Sequence, residues 1–300
     1  MKTVDVKPRV ALRKILFATD FEAPASRALA FAAMLANRDG GRLYAAHVIP
    51  REAYALASPD AVERIFNEAR DFAGYSLQQM VAPLRQRGLQ CDMLLSDGDV
   101  AEVIHEFVTQ YEADLLVVGT SSRGGVHKLL LGSVAEQLIR DSPCPVMTVG
   151  PQVVSLASDG IHRIICATDF SPAAKRAAEI AASAAREYDA HLCFGHVIEH
   201  ALKNSPHPAV KIAEKRLKDA IPAEPEWFRE PQVVVQTGCV AERILNLASN
   251  VMADLIVMGV RGAGAFAQTA SRFGSTAHRV ISEARCPVLT VGDISTQLGG

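Results

Sequence analysis

The chain repeats itself over most of its length, and this repeat limits the possible folds more than any other feature does. Residues 13–49 align without gaps on residues 162–198, a shift of 149, and the peptides A-T-D-F and H-V-I recur unchanged. Two later blocks, which begin at Asp97 and Gly132, recur at shifts of 140 and 142. Three blocks in the same order indicate two copies of one structural unit, joined head to tail.

Each copy alternates short apolar runs with helix-forming stretches. Ile15–Thr19 and its counterpart Ile164–Thr168 are apolar and too short for helices, which predicts buried strands. Ala-rich stretches follow at residues 25–37 and 173–188 and predict helices, with Ser171 as an N-cap. The later predicted elements of the first copy are strands 43–49, 91–96, 114–119 and 145–149 and helices 59–87, 100–111 and 133–141. Alternation of this kind predicts an α/β fold in which each copy is a doubly wound, five-stranded parallel sheet flanked by helices, Rossmann-like in type.

The repeat places two domains at residues 10–150 and 160–293, with a short join between them. Five prolines between residues 203 and 231 predict a shortened helix over 209–220, followed by an irregular segment that carries Trp227. The last strands of the copies, Val146–Val149 and Val288–Val291, would be apolar sheet edges unless they were paired. We expect them to meet within one chain, and we expect two chains to form a homodimer.

Charge and hydropathy exclude several classes of protein. A net charge of -2 and the lack of a basic run argue against a nucleic-acid partner. No apolar segment approaches the ~20 residues that cross a bilayer, so no membrane contact is expected. The N-terminal residues lack the apolar core of a secretory signal, and six widely spaced cysteines form no metal or dithiol motif. These features predict a cytoplasmic protein with reduced cysteines and no metal centre.

One edge of the first predicted sheet collects features suited to an anion. Asp20 follows the first strand, and Gly119 ends the fourth strand and opens a Ser/Gly-rich loop that contains Arg123. Gly132-Ser133 stands where the next helix begins, and the unpaired N–H groups of a helix N-terminus bind phosphate readily. Ligands of open α/β sheets bind beyond the carboxyl ends of the strands, so a phosphate site is predicted here.

With these motifs the chain resembles a tandem universal stress protein, with two domains of the UspA type over residues 12–150 and 161–292. Nucleotide-binding members carry G-x2-G-x9-G-[ST] after the fourth strand, and most members of the family have C-P-V before the last strand. The first copy has Gly119, Gly132-Ser133 and Cys144-Pro145-Val146 in register. The resemblance implies an adenine nucleotide alpha hydrolase-like fold and an ATP-binding regulatory protein of the stress response, with ATP bound alone or with Mg²⁺. The ligand contacts it implies in the first copy are Ala18, Thr19, Asp20, Val48, Gly119, Ser122, Arg123, Gly132, Ser133 and Val134. Those it implies in the second copy are Ala167, Thr168, Asp169, Val197, Gly259, Gly262, Gly274, Ser275 and Thr276.

Both phosphate loops depart from the family pattern. In the first copy Ser122 replaces the second glycine of the motif. In the second copy, eleven residues instead of nine separate Gly262 from Gly274. The N-terminal site is therefore the better candidate for nucleotide. The alternative is a tandem interaction scaffold that has partly or wholly lost nucleotide binding.

The recurring Asp, His and Cys residues each have a structural interpretation as well as a functional one. Asp can cap the helix that follows it, so the aspartates after the two first strands are either caps or ligand contacts. His47 and His196 have no repeated nucleophile or acidic partner and are interpreted as satisfied strand-end residues. Cys144 and Cys286 lie beside apolar strands and are interpreted as packing residues rather than redox sensors. A dedicated enzyme is not predicted, and slow ATP hydrolysis is left open.

Overall fold

The computed structural model describes residues 12–38, 40–51, 59–120, 131–153, 160–199, 208–222, 229–260 and 274–292. Two sets of alternating strands and helices account for most of them. The first repeat consists of β1 (Lys14–Ala18), α1 (Ala23–Arg38), β2 (Arg42–Pro50), α2 (Pro59–Gln86), β3 (Gln90–Gly98), α3 (Val100–Gln110), β4 (Leu115–Gly119), α4 (Ser133–Asp141) and β5 (Val146–Val149). The second repeat consists of β6 (Arg163–Ala167), α5 (Pro172–Tyr188), β7 (His191–Ile198), α6 (Pro208–Ala220), β8 (Gln232–Thr237), α7 (Val240–Val251), β9 (Leu255–Gly259), α8 (Ser275–Glu283) and β10 (Val288–Val291).

All ten strands lie in one sheet, in the order β3-β2-β1-β4-β5-β10-β9-β6-β7-β8. Within each repeat the strands are parallel and the order reverses beside the first strand, which confirms the predicted doubly wound architecture. The repeats join through β5 and β10, which pair antiparallel with Met147 opposite Leu289. The hydroxyls of Thr148 and Thr290 add bonds of 3.1 Å and 3.0 Å to the carbonyls of Val288 and Val146. The expected pairing of the last strands is therefore confirmed.

Helices cover both faces of the sheet, and each apolar layer continues across the join between the repeats. One layer packs α1, α2, α5 and α6 against the sheet, with Met147 and Leu289 at the join. The other packs α3, α4, α7 and α8, with Val146 and Val288 at the join. Because each layer crosses the β5–β10 pair, the two repeats share the apolar layer on each face of the sheet. No helix within the described ranges is long and apolar enough to cross a membrane.

Most predicted element bounds differ from the observed ones by one or two residues. The helix over 133–141 agrees at both ends, and Ser171 is the N-cap of α5, accepting a 3.2 Å bond from the Ala174 N–H. The shortened helix of the second repeat is α6, which begins at Pro208. The segment that carries Trp227 lies outside the described residues.

Candidate functional site

The carboxyl edge of each half-sheet brings together the residues that follow β1 and β4, or β6 and β9. Ala18 lies opposite Val118, and the Thr19 N–H continues the sheet by donating to the Ala46 carbonyl at 3.0 Å. Gly119 ends β4 at the same edge, where the strand order reverses. Buried Val48 lies near the end of the adjoining strand β2. In the second repeat the equivalent residues Ala167, Thr168, Val197 and Gly259 have the same placement.

A tight turn follows the first strand of each repeat and explains why A-T-D-F recurs. In the first repeat the Thr19 hydroxyl accepts the Phe21 N–H at 2.9 Å, and Asp20 Oδ1 accepts the Glu22 N–H at 3.0 Å. Phe21 has a φ of 63°, a left-handed conformation that costs a bulky residue ~1 kcal/mol or more. The second repeat has the same turn: Thr168 accepts from Phe170 and Asp169 from Ser171, at 3.0 Å and 2.9 Å.

The two aspartates therefore shape a turn ahead of the helix and are not the N-cap itself. The N-cap of α5 is Ser171, two residues beyond Asp169. Each aspartate is exposed and uses a single carboxylate oxygen in the turn, as far as the described residues show. The interpretation of these residues as helix caps is thus refined to a turn-forming role, which leaves the second carboxylate oxygen available to a ligand.

The recurring histidines complete the same turn. Nδ1 of His47 lies 2.8 Å from the Thr19 carbonyl oxygen, and because a carbonyl only accepts, Nδ1 carries the proton. The Phe21 ring packs on the imidazole with its centroid 4.3 Å away. Burial lowers the pKa of His47, against the opposing effects of the Thr19 carbonyl and the Asp20 carboxylate. These contacts support the interpretation of His47 as a satisfied strand-end residue.

His196 repeats these contacts in the second repeat. Its Nδ1 lies 2.8 Å from the Thr168 carbonyl, and its ring centroid lies 4.5 Å from that of Phe170. The two recurring peptides, A-T-D-F and H-V-I, are therefore parts of one local structure. Sequence reasoning treated them separately, although their joint recurrence was the available signal.

The first glycine of each phosphate motif is required by helix packing. A Cβ on Gly119 would lie 2.9 Å from the Pro24 carbonyl carbon and 3.0 Å from the Ala25 nitrogen, at the start of α1. On Gly259 it would lie 2.4 Å from the Ala174 nitrogen, at the start of α5. Contacts this short do not occur without backbone movement, so glycine lets the helix approach the end of the strand.

The later glycine of each motif has no close neighbour among the described residues. Gly132 is the N-cap of α4 with a φ of -66°, and a Cβ there would meet no described residue within 4 Å. Gly274 caps α8 in the same way, with a φ of -52°. Neither glycine is needed for its backbone angle, and no side-chain cap of either helix is found among the described residues. As far as those residues show, the first N–H groups of both helices are open to a ligand.

Some of the remaining predicted ligand contacts lie in the described helices, and the others lie outside the described residues. Ser133 and Val134 lie exposed in the first turn of α4, and exposed Ser275 and half-buried Thr276 lie in the first turn of α8. Helices that connect parallel strands run back across the sheet, so these first turns lie toward the carboxyl edge with the other site residues. The residues predicted between them, Ser122, Arg123 and Gly262, lie outside the described residues.

Five of the six cysteines are buried, and burial raises the pKa of their thiols. The pKa rises to about 11 for Cys144 and to about 12 for Cys286, chiefly because the thiolate would lose its hydration. This supports their interpretation as packing residues. Cys239 differs from the other five cysteines: it is exposed at the N-cap of α7, with Arg279 Nη1 3.5 Å from Sγ. Among the residues described, no group of three or more His, Cys, Asp or Glu side chains could hold a metal ion.

Comparisons with known proteins agree with this architecture. The model of the universal stress protein family matches residues 11–150 and 160–292. A universal stress protein from Thermus aquaticus is 38% identical over 140 residues, which is 46% of this chain and 98% of that protein. One from Methanocaldococcus jannaschii is 28% identical over 138 residues, 46% of this chain and 81% of its own length.

Solved structures share the tandem fold as a whole. A universal stress protein from Archaeoglobus fulgidus superposes with a TM-score of 0.69 at 23% identity, covering 94% of this chain and 98% of its own. A protein from Pseudomonas aeruginosa, described as a putative universal stress protein, gives a TM-score of 0.61 at 18% identity, covering 96% and 95%. Two family matches, one in each repeat, account for nearly the whole described chain, and the chain therefore belongs to the universal stress protein family.

Proposed function

We propose that this chain is a cytoplasmic regulatory protein that binds an adenine nucleotide, ATP in the first place, at the carboxyl edge of its N-terminal repeat. The observation that carries the proposal is the N-terminus of α4 at Gly132, which no described residue caps or covers and which is in register with the family's G-x9-G-[ST] spacing. A helix N-terminus of this kind offers several N–H donors and a positive dipole end to a phosphate. Because a side chain on Gly132 would enter the same space, glycine at this position favours a ligand.

The other site residues have roles that fit a nucleotide. The Thr19-Asp20 turn and Val48 would line the adenine end of the site, and the hydroxyl of exposed Ser133 would add a donor for phosphate. ATP supplies a phosphate-rich ligand whose binding can stabilise one state of the domain for a partner to recognise. Hydrolysis is not part of the proposal, because His47 donates to a backbone carbonyl and no nucleophile–base pair occurs among the described residues.

A second function is favoured for the C-terminal repeat. Its phosphate motif has the same open cap, Gly274, but its loop is two residues longer than the family spacing. We expect this longer loop to misplace the phosphate contacts, which leaves the second repeat as an interaction scaffold. Since β5 and β10 already pair with each other, a homodimer of this chain has to use another surface, and sedimentation equilibrium tests whether that dimer forms.

The test is direct: purified protein is denatured, and the supernatant is chromatographed for adenine nucleotide. We expect adenine nucleotide to be recovered from the wild type and to be lost from Gly132→Val, because the valine side chain fills the phosphate space. Full recovery of nucleotide from the variant would show that the site lies elsewhere. A wild type that neither releases nor binds nucleotide would favour the scaffold for the whole chain.

A further inference from the structure

The two helices that begin at the candidate phosphate sites meet across the join between the repeats. Glu136 of α4 and His278 of α8 occupy equivalent positions, four residues after their N-cap glycines, and each donates its N–H to that glycine's carbonyl, at 2.9 Å and 3.1 Å. Their side chains face each other, with His278 Nε2 3.8 Å from Glu136 Oε1. The equivalent positions thus hold different residues, and the contact between the repeats is asymmetric.

His278 makes a second contact, which reaches the first repeat's site. The N–H of Leu131 donates to His278 Nε2 at 3.3 Å. A hydrogen-bond acceptor needs a lone pair, so in this contact the proton of the neutral ring is on Nδ1. Leu131 is 6% exposed and directly precedes Gly132, the N-cap of α4. The bond therefore holds the chain at the point where it enters the candidate phosphate site.

Packing around this bond also ties the first repeat to α8. A Cβ on Gly150, which follows β5, would lie 3.0 Å from the Ile281 carbonyl oxygen, so α8 lies close against the end of the first repeat. Leu131 belongs to the same apolar layer as Val280 and Ile281. These contacts keep α8 against the first repeat, within reach of the bond between the Leu131 amide and the His278 ring.

From this arrangement we infer that His278, which belongs to the second repeat, is a positioning residue for the nucleotide site of the first repeat. By accepting the Leu131 amide, it fixes the entry to Gly132-Ser133 and holds the first N–H groups of α4 in the orientation that a phosphate requires. The inference rests on the proposed function and deepens it: the N-terminal site is complete only when α8 is in place.

Two substitutions of similar size separate the acceptor role from packing. His278→Gln keeps an oxygen acceptor near the place of Nε2, whereas His278→Met has similar length and no effective acceptor. ATP binding to the full-length chain is measured by isothermal titration calorimetry. We expect Gln to bind within about twofold of wild type and Met to bind roughly fivefold more weakly, the effect of one lost neutral hydrogen bond. His278→Ala is measured beside them and is expected to behave like Met, which covers a failure of the Met variant to fold.

Each outcome decides between the two proposals. If wild type binds ATP and the Met and Ala variants bind it as tightly as wild type does, the positioning role is wrong and the proposed function stands. If instead the Gln variant binds ATP as weakly as the Met variant does, His278 does not act as a hydrogen-bond acceptor and the inference is wrong. A wild type that binds no ATP overturns both proposals. Hydrogen exchange of the Leu131 amide without nucleotide reports on the contact itself: we expect slow exchange in wild type and Gln and faster exchange in Met.

Discussion

Two glycines of the same phosphate motif are expected to differ in how much the addition of one methyl group destabilises the chain. Gly119→Ala places a Cβ 2.9 Å from the Pro24 carbonyl carbon, whereas the Cβ of Gly132→Ala meets no atom of the described residues within 4 Å. Since carbon atoms pack at about 3.5 Å or more, the first change requires a movement of about 0.6 Å between β4 and α1. Overpacking of this kind costs about 1–3 kcal/mol. We therefore expect Gly119→Ala to lower the free energy of unfolding by about 2 kcal/mol.

Gly259→Ala is a third variant that the same contact distances rank, and Gly132→Ala is the control. In Gly259→Ala the new Cβ lies 2.4 Å from the Ala174 nitrogen, so a movement of about 1.1 Å is needed. We expect Gly259→Ala to lower the free energy of unfolding by more than Gly119→Ala does. For Gly132→Ala a slightly worse N-cap and a less flexible unfolded chain nearly cancel, so stability should stay within about 0.5 kcal/mol of wild type.

Urea unfolding followed by far-UV circular dichroism measures all three variants, and midpoints are compared only where the m-value is unchanged. We expect the largest loss of unfolding free energy in Gly259→Ala, a smaller loss in Gly119→Ala and the smallest in Gly132→Ala. A Gly119→Ala protein within about 0.5 kcal/mol of wild type would refute the assignment of that glycine to helix packing. So would a Gly132→Ala protein that loses as much as Gly119→Ala.

Three further changes test the chemistry of single side chains. A maleimide should label Cys239 rapidly in the native chain, while buried thiols such as Cys144 react only on unfolding; fast labelling of two or more thiols would contradict the observed burial. Because burial lowers the pKa of His47 below 6.5, its contribution to stability is present above that pH and is lost as the pH falls through it. His47→Asn can still donate to the Thr19 carbonyl but does not titrate, so its unfolding free energy should fall less than that of wild type between about pH 7 and pH 5; an equal fall would count against this explanation. Thr120→Val, which copies Val260 of the second repeat, should stabilise the chain by about 1 kcal/mol, because the Thr120 hydroxyl is buried without a partner in the described part of the chain; destabilisation would reveal a partner.

The strand and helix layout was predictable because hydrophobic periodicity and the repeat support each other. The helix that starts at Ser133 follows a Gly-Ser boundary and was predicted at both ends. The β5–β10 pair was predictable for a different reason: two short apolar strands would otherwise have been open edges. Both predictions depend on local patterns that most folded chains obey.

The turn after the first strand could not be predicted in the same way. A positive φ at Phe21 goes against the intrinsic preference of a bulky residue, and it is maintained by Thr19, Asp20 and the His47 ring together. Three of these residues are adjacent in sequence, but His47 is 26 positions beyond Phe21. Only packing between β1 and β2 brings them together, so the fold overrides local propensity here.

Two features of the site depend on packing between elements that are far apart in sequence. Sequence spacing marked Gly119 and Gly132 alike as motif glycines, whereas the approach of α1 to β4 makes only the first of them essential for packing. The contact between Leu131 and His278 joins residues 147 positions apart, on elements that meet through the β5–β10 pair. Neither the helix crossing nor the close approach has a sequence signature, because both are set by packing across the whole sheet.

The central claim is that nucleotide binds at Gly132 in the first repeat and not at the equivalent Gly274 in the second. Equilibrium dialysis with radiolabelled ATP, run on wild type, Gly132→Val and Gly274→Val, tests it most directly. Both glycines are exposed N-caps, and a Cβ on either meets no described residue within 4 Å, so each variant is the other's structural control. We expect wild type and Gly274→Val to bind one nucleotide per chain, and we expect Gly132→Val to bind none. Binding that survives in Gly132→Val and disappears in Gly274→Val would contradict it.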